Sequence, residues 1–229
     1  GNIASANYDS SYSSGGGVFL FAWTAATLTN NTLAGNTASQ GGGLGLELGP
    51  NEATDTAWLY NNLFWANVAT DNPGADLWFN NDGDDDSLPN PAILLANNFD
   101  WSASGFKVTL PITIDPSNLN KVDPLFVDAS TGDLHLQPGS PMIDAGYLGA
   151  PDLPDFDIDG TPRVLGSSVD IGAYEFDDGT DPKAILTLTL AGDGSGTVSS
   201  NPSGINCGSD CAQAYDLYTL VTLTATPAD

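Results

Sequence analysis

Positive charge is what this sequence has least of. Lys107, Lys121, Arg163 and Lys183 stand against 29 acidic residues in a chain of 229, a formal net charge of −25. So acidic a surface repels phosphate backbones and anionic lipid headgroups, which argues against nucleic-acid partners and against direct membrane insertion. Divalent cations, cationic partners and plain solubility remain as readings of the excess. Cysteine is nearly absent: Cys207 and Cys211 are the two. A lone CxxxC with no His beside it is a poor zinc site, and a local disulfide suits a secreted chain better. The one histidine, His135, lies between Leu134 and Leu136. On a strand it points away from their face and reads as an exposed structural residue, with no second His for a metal and no Ser or Cys nearby for a triad. Long apolar runs are missing too. Val18 to Ala22, followed by Trp23, is strand-sized and far short of the roughly 20 residues that span a bilayer. No secretory leader is visible, and Gly1-Asn2 reads as the interior of a repeat, so further repeats are expected upstream.

What the chain does have is turn formers. Gly occurs 26 times and Pro 15 times, while hydrophobic residues still make up 41% and charged residues only 14%. Frequent turns with enough apolar residues for a core predict an all-β chain with no long helix.

Residues 1–122 contain an irregular repeat. Asn30-Asn31-Thr32-Leu33-Ala34-Gly35-Asn36 is echoed by Asn61-Asn62-Leu63-Phe64-Trp65-Ala66-Asn67 and by Asn97-Asn98-Phe99-Asp100-Trp101. Each Asn pair follows an apolar run: Ala26 to Leu28, Ala57 to Tyr60, Ile93 to Leu95. A small-residue turn and another strand follow, as in Gly41-Gly42-Gly43-Leu44 and Gly74-Ala75-Asp76-Leu77. Periods in the thirties suit the coils of a parallel β-helix, each supplying about three short strands and stacking on the next at roughly 4.8 Å. Asn30, Asn31, Asn61, Asn62, Asn97 and Asn98 would then line up as an amide ladder, or else meet a ligand.

Two loops interrupt the repeat, residues 49–56 and 80–91. The second carries Asp82, Asp84, Asp85 and Asp86, carboxylates that can bind calcium or form an acidic solvated loop. Trp65, Trp78 and Trp101 are candidates for stacking against sugar rings if they face solvent in a row, and for core if they do not.

Residues 123–176 bring heavy proline punctuation and an acidic run. Asp155, Asp157 and Asp159 before Gly160 reproduce the opening of a DxDxDG calcium loop, with Asp170 as a further ligand of some other geometry. The twelfth position is Gly166, so the full calcium-loop pattern is not met. Arg163, pairing with Asp159, Asp170 or Glu175, gives a metal-free alternative. The segments DPLF, GDLHLQPGSPMIDAG, DIDGTPR and VDIGAYE, in that order, resemble the module called choice-of-anchor Q that closes many bacterial right-handed parallel β-helix proteins. The resemblance implies a secreted or surface-displayed protein, and physically the module is expected to cap the open end of the sheets.

Residues 177–184 read as a linker. Beyond it, residues 185–229 alternate apolar and polar residues, as in Ile185 to Leu190 and Leu220 to Ala225. Together with GSGTVSSNPSGINCGSDCAQAY and VTLTATP they resemble a divergent internalin-type B repeat, a small β module of bacterial surface proteins. That resemblance implies a Cys207–Cys211 disulfide and a module that continues past Asp229.

Three functions compete. The first is a non-catalytic extracellular stalk, adhesin or fibre subunit, able to associate along its own axis. The second is a carbohydrate-binding protein recognising an extracellular glycan or matrix component. The third is a polysaccharide-degrading enzyme with its active repeats upstream. A lyase acting on acidic polymers needs basic groups, and Lys107 and Lys121 are all the repeats offer. A hydrolase needs carboxylates opposed across a cleft, and Asp71, Asp76 and Asp100 are scattered in sequence. The first reading is the expectation carried forward, with calcium as the only cofactor considered.

Overall fold

The computed structural model describes residues 3–5, 15–22, 25–48, 56–71, 74–81, 92–108, 111–179, 183–216 and 219–228. They are all β, with no helix among them. The chain divides into two compact units, residues 1–176 and 177–229.

In the first unit the strands of each repeat go to different parallel sheets, three large ones and a two-stranded one of Thr37–Ala38 and Val68–Ala69. One sheet holds, in spatial order, Ile3–Ser5, Thr32–Ala34, Leu63–Trp65, Asn98–Phe99 and Leu119–Asn120. A second holds Phe106–Val108, Leu77–Asn81, Leu44–Leu48 and Val18–Ala22, and a third Ile112–Ile114, Ala92–Leu95, Ala57–Tyr60 and Ala26–Thr29. Strands adjacent in a sheet thus come from successive repeats, and like residues fall in register. Leu44 pairs with Leu77 and Leu46 with Phe79, Ala57 with Ala92 and Leu59 with Leu94, Leu33 with Phe64. These are the residues of one buried apolar cluster, joined by Phe99. Alternation along a strand puts Leu59 into that core and turns Trp58 and Tyr60 to the other face, where their rings stack at 5.9 Å.

The glycine triplets mark where strand and turn approach most closely. A Cβ on Gly43 would lie 2.6 Å from the Asp76 carbonyl and 3.0 Å from the Asn67 amide, so only glycine fits.

Residues 123–176 pack against the face of a sheet. Phe126, Leu134, Leu136, Met142 and Ile171 pack with Ala34 and Leu63, on the outward face of the first parallel sheet. Gly172 donates its N–H to the Asn61 carbonyl, and Ala173 donates to the Thr32 hydroxyl. The sheet is therefore buried on both sides: Leu33 and Phe64 face the inner cluster, Ala34 and Leu63 the outer one. The physical reason lies in the strands, which carry apolar residues on both faces and need a second layer. Within this segment the pairing is antiparallel, Phe126–Asp128 with Asp133–Leu136.

In the second unit, Lys183–Thr187 pairs antiparallel with Ala212–Asp216, so regular structure begins within the expected linker. Gly196–Asn201 lies between Asn206–Cys207 and Thr222–Pro227. Ile205, Cys207 and Tyr215 form its small core, and Cys207 is bonded to Cys211 in a disulfide.

Candidate functional site

The repeated asparagines are the natural first candidates, and they are spent on the fold. Asn30 and Asn61 adopt left-handed backbone conformations, φ 52° and 56°, which Asn tolerates better than most residues. The next residue turns its amide along the row. The Asn62 Oδ1 accepts from the Asn31 N–H at 3.0 Å and from Asn31 Nδ2 at 2.8 Å. Asn62 donates in the same way to Asn97 Oδ1, and Asn97 to Asn118 Oδ1, all at 2.8–3.0 Å. The second N–H of each amide goes to a strand carbonyl: Asn62 to Leu28, Asn97 to Leu59, Asn118 to Leu94. Sheet spacing lets one amide reach the next, so the row satisfies turn backbone that would otherwise be buried unpaired.

The register corrects one sequence assignment. Asn62 bonds Asn97 across 35 residues, whereas Asn31 and Asn62 are 31 apart, so Asn97 occupies the second position of the pair and not the first. Ala96, φ 52°, takes the left-handed place. Asn98 moves onto a strand opposite Leu63 and exchanges two hydrogen bonds with the Val122 backbone. Asn118, which the doublet pattern missed, extends the row.

A second row starts the same way and ends differently. Asn67 Oδ1 accepts from the Asn36 N–H at 3.0 Å and from Asn36 Nδ2 at 3.1 Å, but Asn67 donates to a carboxylate, Asp76 Oδ1, at 2.9 Å. Asp76 Oδ2 accepts the Asp100 N–H at 2.8 Å, and Asp100 Oδ2 is met by Lys121 Nζ at 2.8 Å. Burial raises the Asp76 carboxyl above its ordinary range despite the bonds from Asp100 and Asn67. Burial also works upward on Asp100, but the Lys121 and Ser102 hydrogen bonds outweigh it and hold that carboxyl low. Asp76, Asp100 and Lys121, scattered in sequence, thus form one chain lining a cleft of about 370 Å³ with Trp65, Asn67 and Ser104. A neighbouring cleft of about 380 Å³ shares Trp65 and Ala66 and is bounded by Ser130, Thr131 and Gly132. A 31-residue spacing from Asn36 to Asn67 was the available signal; that the next places hold acids needed the fold.

The tryptophans do not form a row. Trp65 packs on the outer cluster with Leu63 and Met142. Trp78 is half-buried on another sheet, between Gly45 and Lys107. Trp101 meets Phe99 edge-on at 5.7 Å.

The acidic loop is tied to its own backbone. Asp157 Oδ1 accepts from the N–H groups of Asp159 and Thr161, and Oδ2 from that of Glu175. Asp170 accepts from Asp144 and Phe176. Asp155 and Asp159 are exposed. Among the described residues no group of three or more His, Cys, Asp or Glu is arranged to hold a metal ion. Asp82, Asp84, Asp85 and Asp86 lie outside the described residues.

Arg163 is buried and takes Glu175 as its partner, Nη1 to Oε1 at 3.0 Å, with further bonds to the Gly172 and Ala173 carbonyls. Its Nε has no hydrogen-bond partner. Two carboxylates share this one guanidinium's surroundings. Burial raises Asp170 to about 6, and burial together with the Asp170 charge raises Glu175 to about 9.

His135 has partners that the sequence did not suggest. Nδ1 lies 2.6 Å from Asp133 Oδ1 and Nε2 2.6 Å from Asp159 Oδ2, while the ring packs 4.0 Å from that of Tyr174. Partial burial disfavours the charged ring, but the hydrogen bonds to Asp159 and Asp133 outweigh it and raise the imidazole's pKa.

Compared with protein-family models, curated proteins and solved structures, the chain gives no match.

Proposed function

We propose that residues 1–122 form a right-handed parallel β-helix and that the chain is part of a non-catalytic extracellular protein, a stalk, adhesin or fibre subunit of a bacterial surface. The observation that carries this reading is the buried row Asn31–Asn62–Asn97–Asn118, in which the repeated polar residues bond to one another and to strand carbonyls. A repeat whose recurrent polar groups are consumed internally gains stiffness and length, the properties of a stalk. The Cys207–Cys211 disulfide supports an oxidising location. The resemblance to choice-of-anchor Q and internalin-type B modules supports display on a cell.

Surface labelling tests it. In cells that make the full-length protein, a membrane-impermeant amine reagent should label it without lysis. Recovery only in the lysed fraction would overturn the reading.

A further inference from the structure

We propose that the cleft walled by Trp65 and by the Asp76–Asp100–Lys121 chain is a binding site for an uncharged oligosaccharide. This deepens the adhesive reading by giving it a ligand class.

Size and lining come first. The cleft and its neighbour, about 370 and 380 Å³, each lie within the roughly 300–1,000 Å³ of small-molecule sites, and they adjoin at Trp65 and Ala66. Trp65 is half-buried and anchored on the outer apolar cluster, which fixes the indole while part of it lines both clefts. A fixed indole beside polar groups suits a sugar ring, whose C–H face is apolar and whose rim is hydroxylated.

The polar wall is rigid and two-sided in its chemistry. Asp76 and Asp100 are almost buried, at 5% and 8% exposure, and each oxygen already accepts one bond. A carboxylate has about four lone-pair sites, so each has capacity for further bonds. The Lys121 ammonium spends one N–H on Asp100, leaving two to donate. Hydroxyls, which donate and accept, match such a wall.

Charge selects among sugars. Two carboxylates against one lysine, on a chain of net charge −25, disfavour uronates and sulfated glycans. The layout also favours binding over hydrolysis. Asp76 and Asp100 are consecutive links of one hydrogen-bonded chain on the same wall, whereas a glycosidase places its two carboxylates on either side of the scissile bond.

The test uses the whole purified chain and a panel of gluco-, manno-, galacto- and xylo-oligosaccharides, with oligogalacturonate as the anionic arm. Indole N–H resonances are followed by NMR, with Trp65 assigned through Trp65→Phe, and affinities are measured by calorimetry. At least one neutral oligosaccharide should shift the Trp65 signal while Trp58 stays in place. Asp100→Asn should weaken that affinity roughly tenfold or more, the usual consequence of losing a charged acceptor. Lys121→Met, altering a largely exposed side chain, should weaken it as well and gives a second variant if the first unfolds. The proposal falls if no member of the panel moves Trp65, if oligogalacturonate binds as tightly, if affinity survives both substitutions, or if new reducing ends accumulate. Surface labelling reads location alone, so failure here and failure there are separate results.

Discussion

In residues 1–176 the inward positions of neighbouring parallel strands carry like residues, the turns between those strands are closed by buried amides, and a buried arginine ties residues 163–175 together. In residues 177–229 the strands are antiparallel, the core is Ile205, Cys207 and Tyr215 with a few half-buried neighbours, and Thr222–Pro227 is exposed along its length. Antiparallel neighbours can be joined by short turns whose backbone groups stay near water. Parallel neighbours need a return path, and its turns are buried against the adjacent repeats. The first unit therefore depends on polar groups inside the structure. The second, with Ile185 and Leu220 at 73% and 86% exposure, buries little apolar surface and adds a covalent link.

The sharpest break in this contrast is Arg163→Met. It keeps volume but leaves Asp170 and Glu175 buried beside each other without a cation, a cost that approaches about 3–5 kcal/mol only as the two ionise. Unfolding by guanidinium should show the loss in the first-unit transition and none in the second. Both carboxyls bind protons more tightly folded than unfolded. Their contribution to stability is fully present below about pH 4 and is lost as pH rises through about 6 for Asp170 and about 9 for Glu175. The penalty of Arg163→Met should accordingly be larger at pH 8 than at pH 5, and an equal penalty at both would contradict the assignment.

Asn62→Ala comes next. It removes the acceptor of the Asn31 N–H and of Asn31 Nδ2 and takes one donor from Asn97 Oδ1 and another from the Leu28 carbonyl. Buried groups left unpaired cost about 1–3 kcal/mol each before relaxation, so a net loss of about 2–3 kcal/mol is expected, again confined to the first unit. A substitution within 0.5 kcal/mol of wild type would mean that the row is ornamental to stability.

In the second unit, reduction or a double Cys→Ser change at Cys207 and Cys211 should cost about 2 kcal/mol, the chain-entropy value for so short a loop. Because the core beside it is small, that loss should unfold residues 177–229 while the first-unit transition stays put. Calorimetry with and without reductant reads both at once.

Composition and the Asn doublets carried the all-β class and the repeat, because turn chemistry is local and leaves a local signature. They misplaced Asn98 by one position, since a four-residue lengthening between repeats cannot be located from the doublet alone; the left-handed slot needed only a compatible residue, and Ala96 fills it. The side of the repeats that residues 123–176 cover was not legible either. A strand such as Leu63-Phe64-Trp65 reads as continuously apolar, and only the packed sheet shows that both faces are in use. The candidate cleft was least visible, because Asp76, Asp100 and Lys121 are ordinary turn residues until stacking brings them together.

His135 offers the mildest test, and it bears on how residues 123–176 hold their loops. With a carboxylate at each ring nitrogen, the imidazolium satisfies both, Asp133 on its own strand and Asp159 on the acidic loop. A neutral ring has one N–H and would turn a lone pair toward the other carboxylate. Since the folded pKa is raised, the stabilisation is fully present below the unfolded value of about 6.5 and is lost as pH rises through the higher folded value. The side chain is 45% exposed, so screening keeps the effect to a fraction of about 1 kcal/mol. The imidazole should titrate above 6.5 by NMR, and Asp159→Asn should move it downward more than any change in global stability would suggest. A titration at or below 6.5 in the wild type would show that the two short contacts do not hold a charged ring.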